Sequence, residues 1–380
     1  MTTLPETVLQ FGGGNFLRAF ADLFIDETNQ RNSPVGRVVV VQSTASRRAA
    51  LINEQGGAYH VITRGLVDGH VIDRVQTVTS ISRGLVANDE WAAVLAVARS
   101  PQLRLIISNV TEAGYRLEEA DGAHQPSDNV APASFPAKLL AVLLARYQAG
   151  QTGVTVLPCE LLDQNADRLL ALVEEQAAIW QLPAAFLAWL KTEVYWLNTL
   201  VDRIVSGKPA DHPLLAGDAL LTVAEPFAFW AIAGQERARD LFVHPAIAVV
   251  DNVARYALRK VRILNGAHTA LVAKALPMGL VTVREAVTHP EVGPWLRRLL
   301  FAEIVPTVAD RVDGAAEFAE AVMERFANPF LEHKLADIAL HHATKVEVRL
   351  RSTYNDYRAQ RGTPPPLLHN LLTDPNSLVS

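Results

Sequence analysis

The sequence predicts an α/β protein, with a doubly wound parallel sheet in its N-terminal part followed by a mostly α-helical C-terminal domain. Three observations lead there. The first half alternates short β-branched runs with helical patterns, the order that βαβ units produce. A run of three glycines separates the first β-run from the first helical period. After about residue 190, Ala, Leu, Glu and Arg dominate and the β-branched clusters thin out.

Each element follows from its own pattern. Thr7–Phe11 reads as the first strand, and Phe16, Leu17, Phe20, Leu23 and Phe24 then recur at the spacing of one amphipathic helix. Arg37 followed by Val38–Val41 has the near-continuous apolar character of a strand buried on both faces. Leu103–Ile107 and Val154–Leu157 read as two further strands, joined by an Ala- and Leu-rich crossover helix from Pro136 to Ala149. Helical periods then recur around Val253–Arg259, Ala267–Ala275 and Ala315–Arg325, and Asn328-Pro329-Phe330 interrupts them because proline disfavours helix at the residue before it. Pro364-Pro365-Pro366 and weak periodicity beyond them predict an irregular tail over 361–380.

The 380 residues are 49% hydrophobic and 20% charged, a globular composition that is too apolar for disorder. Lys and Arg number 35 against 40 Asp and Glu, so no basic surplus points to nucleic acid or an anionic membrane. The single Cys159 excludes an intrachain disulfide and a cysteine-rich zinc module. The 11 histidines are scattered without an H-E-x-x-H or comparable pair, so no metal is expected. The N-terminal residues lack the basic and apolar regions of a signal peptide, and no apolar run reaches a membrane span. A soluble, cytoplasmic, two-domain protein is therefore expected.

Gly12-Gly13-Gly14-Asn15-Phe16 lies between the first strand and the first helix, where dinucleotide-binding folds place their phosphate loop. Gly12 and Gly14 match the first two glycines of G-x-G-x-x-G, but Leu17 occupies the third. An ordinary tight turn gives the same residues; the position at the start of a βαβ pattern favours a cofactor. The second strand ends in Gln42-Ser43-Thr44 without the acid that would bind the ribose of NAD, and Arg47 and Arg48 follow, so NAD and NADP both stay open. Asn109, Thr111 and Glu112 follow a strand at its carboxyl end, where ligands bind in open α/β sheets.

Lys260, Asn265 and His268 form the second constellation. Asn265 and His268 lie three residues apart and share a helix face, while Lys260 joins them only where the helix bends or begins anew. A desolvated lysine exchanges a proton with a substrate oxygen near neutral pH, an amide holds that oxygen, and a histidine orients it. A lysine between Arg259 and Arg262 equally describes a solvated face, and His268 equally describes a core histidine.

Gly12 through Phe20, Asn198-Thr199-Leu200-Val201-Asp202-Arg203-Ile204 and Lys260 through His268 occur in this order and resemble the mannitol dehydrogenase family, the polyol-specific long-chain dehydrogenases. Ile107 through Gly114, Glu225-Pro226-Phe227 and His333 through Leu340 resemble its tagaturonate-reducing branch. The resemblance implies a Rossmann-like dinucleotide-binding domain over 1–195 and a helical substrate and catalytic domain over 196–360. It implies metal-independent hydride transfer between NAD(P)H and a sugar carbonyl, tagaturonate to altronate first. Fructuronate and mannitol- or arabinitol-type polyols are the alternatives, and a dinucleotide-binding sensor is the non-enzymatic one. Lys260 would be the acid/base, Asn265 and Asn198 the holders of the reacting oxygen, and His268 the orienting group. Gly12, Gly13, Gly14, Asn15, Phe16, Gln42, Ser43, Asn109 and Thr111 would contact the cofactor. Glu112 would lie on the substrate side, with Lys345 and Arg349 as candidates for a substrate carboxylate. A monomer or small homo-oligomer is implied. The chain stops soon after Tyr357, where members of that branch continue with further helices, so the elements closing the pocket need not be theirs.

Overall fold

A computed structural model describes residues 4–31, 34–124, 127–234 and 243–374. Contacts divide the chain into two compact units, residues 1–63 with 74–253 and residues 64–73 with 254–380.

The first unit is built on a six-stranded, all-parallel sheet. Its strands are β1 (Glu6–Phe11), β2 (Arg37–Gln42), β5 (Ile81–Val86), β6 (Leu105–Ser108), β7 (Thr155–Pro158) and β8 (Tyr195–Trp196), in the order β5-β2-β1-β6-β7-β8. The valines of β2 show why it folds this way. Val39 and Val41 enter one core with Leu9, Phe11 and Ile106, while Val38 and Val40 enter the opposite core with Val8, Leu105 and Ile107. Successive side chains leave a strand on opposite faces, so an unbroken apolar run needs helices on both sides of the sheet. Helix α3 (Arg48–Glu54) places Ile52 in the second core, while α4 (Trp91–Ala98), α5 (Phe135–Gln148), α6 (Asn165–Ile179) and α7 (Ala184–Thr192) cover the first face. The single helix expected over 16–24 is two: α1 (Asn15–Arg18) and α2 (Ala21–Asn29), separated at Phe20, whose φ −136°, ψ −95° is not helical. Its apolar period survives the break because Leu17, Phe20, Leu23 and Phe24 all enter the second core.

The hairpin β3 (Tyr59–Val67) and β4 (His70–Val78) turns at Asp68-Gly69, both with positive φ, as a two-residue hairpin turn of opposite hand to the common ones requires. It pairs with β10 (Val205–Gly207) and β11 (Thr222–Ala224) in a four-stranded sheet, and β9 (Thr199–Asp202), β12 (Phe229–Ala233) and β13 (Ile247–Val250) form a third. Val201, Ala224, Trp230 and Ile232 pack into the core beneath β1. The division expected at 195/196 accordingly falls at 253/254.

The second unit is helical, with Ala254–Arg259, Gly266–Ala275 and Ala315–Phe326 close to their expected ranges. Lys260–Asn265, Leu299–Ile304 and Val346–Arg351 are π-helical. The stretch expected as an irregular tail contains the helix Pro366–Thr373, which buries Leu368 and Leu371. Its first amides, those of Leu367 and Leu368, donate to the distant Glu303 carboxylate at 2.6 and 2.8 Å, a cap that local sequence does not reveal. Residues 375–380 lie outside the described residues. Among the described residues no helix is long and apolar enough to cross a membrane.

Arg146 on α5 is 1% exposed and donates to the carbonyls of Thr152, Ala98, Ser100 and Leu103. Arg146→Met leaves the buried Ala98 and Leu103 carbonyls without this donor and should cost about 3 kcal/mol. A lowered urea midpoint at unchanged slope is the expected readout; an unchanged midpoint would refute it.

Candidate active site

The first unit holds a cavity of about 370 Å³ at the carboxyl ends of β1, β2 and β6. This is where the strand order reverses, so the connections after β1 and β6 leave toward opposite faces and open a crevice. Gly12, Gly13, Gly14, Gln42, Ser43, Asn109 and Thr111 all line it. Gly12 has φ +104°, and a Cβ there would lie 2.8 Å from the Asn109 carbonyl oxygen; at Gly13 a Cβ would lie 2.9 Å from Val40 Cγ1. Phe16 differs from expectation, because its ring stacks on Phe20 at 4.8 Å and packs against the core. Asn15 follows the lining glycines, and its Oδ1 accepts from Arg18 Nη2 at 2.7 Å.

Gln42 lines the cavity, but its side chain organises the next turn. Nε2 donates to the carbonyls of Thr44 and Ser46, and Oε1 accepts from the Ala49 amide at 2.8 Å. The groups presented at that end are therefore Ser43, Thr44, Ser46 and Arg48. Arg47 is ion-paired with Glu54 at 2.9 Å, whereas Arg48 lines the cavity, so the structure separates two arginines that the sequence left equivalent.

At the opposite end, Asn109 Nδ2 donates to the Cys159 carbonyl at 2.7 Å. Thr111 takes φ 76°, a conformation costly for a β-branched residue and maintained only by its surroundings. Those surroundings centre on buried Glu160, which the sequence reading missed. Its carboxylate accepts from the Val110 amide at 2.9 Å, the Ser108 hydroxyl at 3.1 Å and the Tyr115 hydroxyl at 2.9 Å. Burial pushes the Glu160 carboxyl above its ordinary range, and these three donors pull it back. Its position just past the end of β7 is the same signal that drew attention to Asn109. Glu112 begins a one-turn helix, is exposed, and is not among the lining residues.

Asn198, also in the first unit, closes the start of α6. Its Oδ1 accepts from the amides of Ala166 and Asp167 at 2.9 and 3.2 Å, and its Nδ2 donates to Asp167 Oδ2 at 2.7 Å. An amide carries two N–H donors, so one remains beyond this cap.

The second unit gathers Lys260, Asn265, His268, Lys345 and Arg349. In a π-helix hydrogen bonds run from i to i+5, which stacks residues five apart roughly one turn above each other. The π-helical Lys260–Asn265 segment thus aligns the lysine with the asparagine, which an α-helix would splay apart, and both are half-buried. His268 follows one turn along Gly266–Ala275, stacked on Phe326 at 4.2 Å with His333 edge-on at 4.9 Å. Its Nε2 is buried without a partner. Burial first, and then the neighbouring His333, Arg325, Arg349 and Lys345, hold its pKa well below the ordinary value. Arg349 Nη1 donates to Thr269 Oγ1 at 3.3 Å and Lys345 Nζ to the Ile338 carbonyl at 2.8 Å; neither is ion-paired among the described residues. Burial lowers the pKa of both, with Arg349 adding to the shift at Lys345. No group of three or more His, Cys, Asp or Glu among the described residues is arranged to hold a metal ion.

The first unit thus holds a glycine turn at a sheet switch point, and the second a lysine, an amide and an imidazole along one helical stretch. The mannitol dehydrogenase Rossmann domain matches residues 6–242, and the mannitol dehydrogenase C-terminal domain matches residues 252–373. The chain belongs to the mannitol dehydrogenase family. It is 43% identical to an altronate oxidoreductase of Halalkalibacterium halodurans over 96% of this chain and 73% of that protein. It is 39% identical to one of Bacillus subtilis over 97% of this chain and 78% of that protein. The fold resembles that of a D-sorbitol dehydrogenase in substrate-free form (TM-score 0.79, 22% identity, 94% of this chain and 77% of that one). It also resembles Pseudomonas fluorescens mannitol 2-dehydrogenase in ternary complex with NAD and D-mannitol (TM-score 0.75, 23% identity, 97% and 78%).

The lowered His268 pKa has a stability consequence. Below about pH 6.5 the unfolded histidine binds a proton that folded His268 rejects, so each further pH unit removes roughly 1.4 kcal/mol until the folded ring itself titrates. Burial shifts His333 and His342 in the same direction. The melting temperature should fall as pH drops from 6.5 to 5, and His268→Gln should flatten that fall; an equal slope in the variant would count against this assignment.

Proposed function

We propose that the chain interconverts a 5-keto-hexonate and its alcohol, tagaturonate and altronate, with NAD(H) as hydride carrier. The observation that carries the sugar-acid reading is the cationic pair Lys345 and Arg349, without a carboxylate partner among the described residues and near enough to depress His268. Half-buried cations four residues apart, with Arg349 lowering the pKa of Lys345, favour an anion between them, and a planar guanidinium matches a carboxylate with two parallel hydrogen bonds. A neutral polyol gives such a pair no counter-charge. The names of the relatives at 43% and 39% identity point the same way.

The cavity at β1, β2 and β6 fits a dinucleotide, because Gly12, Gly13 and Gly14 bring backbone without side chains to its wall at the sheet switch point, where a pyrophosphate approaches closely. NAD(H), when bound there, supplies or accepts the hydride. In the reducing direction Lys260 Nζ delivers a proton to the carbonyl oxygen as that oxygen gains charge, and in the oxidising direction it takes the proton back. The Asn265 amide donates to the same oxygen, and that bond strengthens as negative charge develops. His268 stays neutral because burial first, and then the cations around it, lower its pKa, so it orients a hydroxyl without competing for the proton. At the adenosine end Ser43, Thr44 and Ser46 offer hydroxyls to a ribose, and the absence of an acid from that turn leaves NADPH unrepelled.

The test is loss of reduced-nucleotide absorbance with tagaturonate, fructuronate and fructose, each with NADH and NADPH. Turnover of tagaturonate with NADH is expected, and turnover of fructose alone would sink the sugar-acid reading. Lys260→Ala should lower kcat by about a hundredfold or more while NADH affinity holds. Arg349→Gln should raise the KM of the sugar acid by roughly tenfold or more.

A further inference from the structure

Beneath the glycine turn lies a buried polar network that the reaction above does not use. Gln10 is fully buried in the middle of β1, on the face that otherwise carries Val8, and its Nε2 donates to the Gly12 carbonyl at 3.0 Å and to Asp22 Oδ2 at 3.2 Å. Arg18 is 1% exposed. Its Nη1 donates to the Gly13 carbonyl at 2.6 Å, and its Nη2 donates to Asn15 Oδ1 at 2.7 Å and to the Leu220 carbonyl at 3.1 Å. Its own backbone amide takes the Gly14 carbonyl at 3.3 Å, and the Tyr59 hydroxyl takes the Arg18 carbonyl at 2.8 Å. All three carbonyls of the turn are thus held from the protein side. The amides of Gly13 and Gly14 donate to no acceptor among the described residues, and both glycines line the cavity.

A turn whose carbonyls are pinned inward presents its N–H groups as a concave anion site. Such turns usually gain further positive character from the helix that follows, but α1 has only four residues, too short for an appreciable macrodipole. The position of the third fingerprint glycine is taken by Leu17, so close helix–strand packing does not hold the turn either.

We infer that Arg18, assisted by Gln10, is the positioning residue of the pyrophosphate loop, with its buried guanidinium standing in for the helix dipole and the third glycine. This rests on the dinucleotide reading of the cavity. None of the Arg18 hydrogen bonds goes to a carboxylate. Burial, and then neighbouring Arg48, push its pKa down to about 10 against the opposing pull of Tyr59, Asp22 and Asp218. Arg18 does not touch the cofactor itself; it acts through the Gly13 carbonyl.

The experiment is titration of the full-length protein with NADH, ADP-ribose and adenosine, the last of which carries no pyrophosphate. Arg18→Met should weaken NADH and ADP-ribose by about tenfold or more, as loss of charged hydrogen bonds implies. Adenosine binding should be unchanged, and kcat at saturating NADH should stay within about threefold. Arg18→Lys keeps a donor for one carbonyl and should recover part of the loss. Gln10→Met, near-isosteric and missing only the donor to Gly12, provides the readout if the Arg18 variants do not fold, with a smaller loss of the same pattern. Unchanged ADP-ribose affinity in a folded variant overturns the inference, as does an equal loss for adenosine, which would mark general damage. If the unaltered protein binds neither NADH nor ADP-ribose, the dinucleotide reading itself falls, and this inference with it.

Discussion

A parallel sheet with both faces buried has its ligand-binding geometry imposed on it. Each strand must cross to a helix on one face or the other, and between β1 and β6 the direction of crossing reverses. Backbone groups at those strand ends have no further strand to pair with, so the chain must satisfy them by turns and side chains or leave them for a ligand. Gln42, Glu160 and Asn198 are three answers to that requirement, each a polar side chain just past or beside a strand that ties up nearby backbone. The cavity is bounded by what they organise, and Gly12 and Gly13 occupy places where even a Cβ would collide.

The second unit meets a different constraint, which is register. Hydrogen bonding from i to i+5 is poorer than the α pattern and survives where packing compensates. Here Ile263 and Leu264 are buried, and Arg262 Nη1 donates to Thr353 Oγ1 at 2.9 Å with its Nη2 on Asp356. These anchors hold the turn that puts the lysine and the asparagine on one line. A second π-helical segment, Val346–Arg351, carries Arg349 and packs against the helix bearing His268. Departure from ideal helix and density of chemically active side chains coincide in the same stretches.

Some of this could be read from residues and some could not. The four valines of β2 were legible because a doubly buried strand leaves an apolar run that no other element of that length explains. The break at Phe20 was not, because residues 16, 17, 20, 23 and 24 keep a helical period that both short helices still use. Strands β9 to β13 have between three and five residues, too few for alternation to show. Lys260, Asn265 and His268 were visible as residue types, whereas the alignment of the first two depends on a register that leaves no mark on composition. Arg18 stood in the quoted motif but passed as an ordinary helix residue, because its role depends on Leu220 and Tyr59, remote in sequence.

The grouping of the β3–β4 hairpin tip with the helical unit bears on how the gene can be cut. Within that unit the Gly69 amide donates to Glu324 Oε1 at 2.7 Å, Asn328 Nδ2 donates to the Arg64 carbonyl at 3.1 Å, and the Arg64 guanidinium lies 5.5 Å from the centre of the Phe330 ring. A fragment beginning at residue 254 would therefore strip the Arg64 guanidinium from the already exposed Phe330 ring and leave the Glu324 and Asn328 side chains without these partners. The boundary between the family's two matched domains is a line along the chain, while the boundary between the folded bodies crosses the chain three times. Shuffling the C-terminal domain between relatives by a single crossover would thus carry over the helices without the strand ends against which they are built.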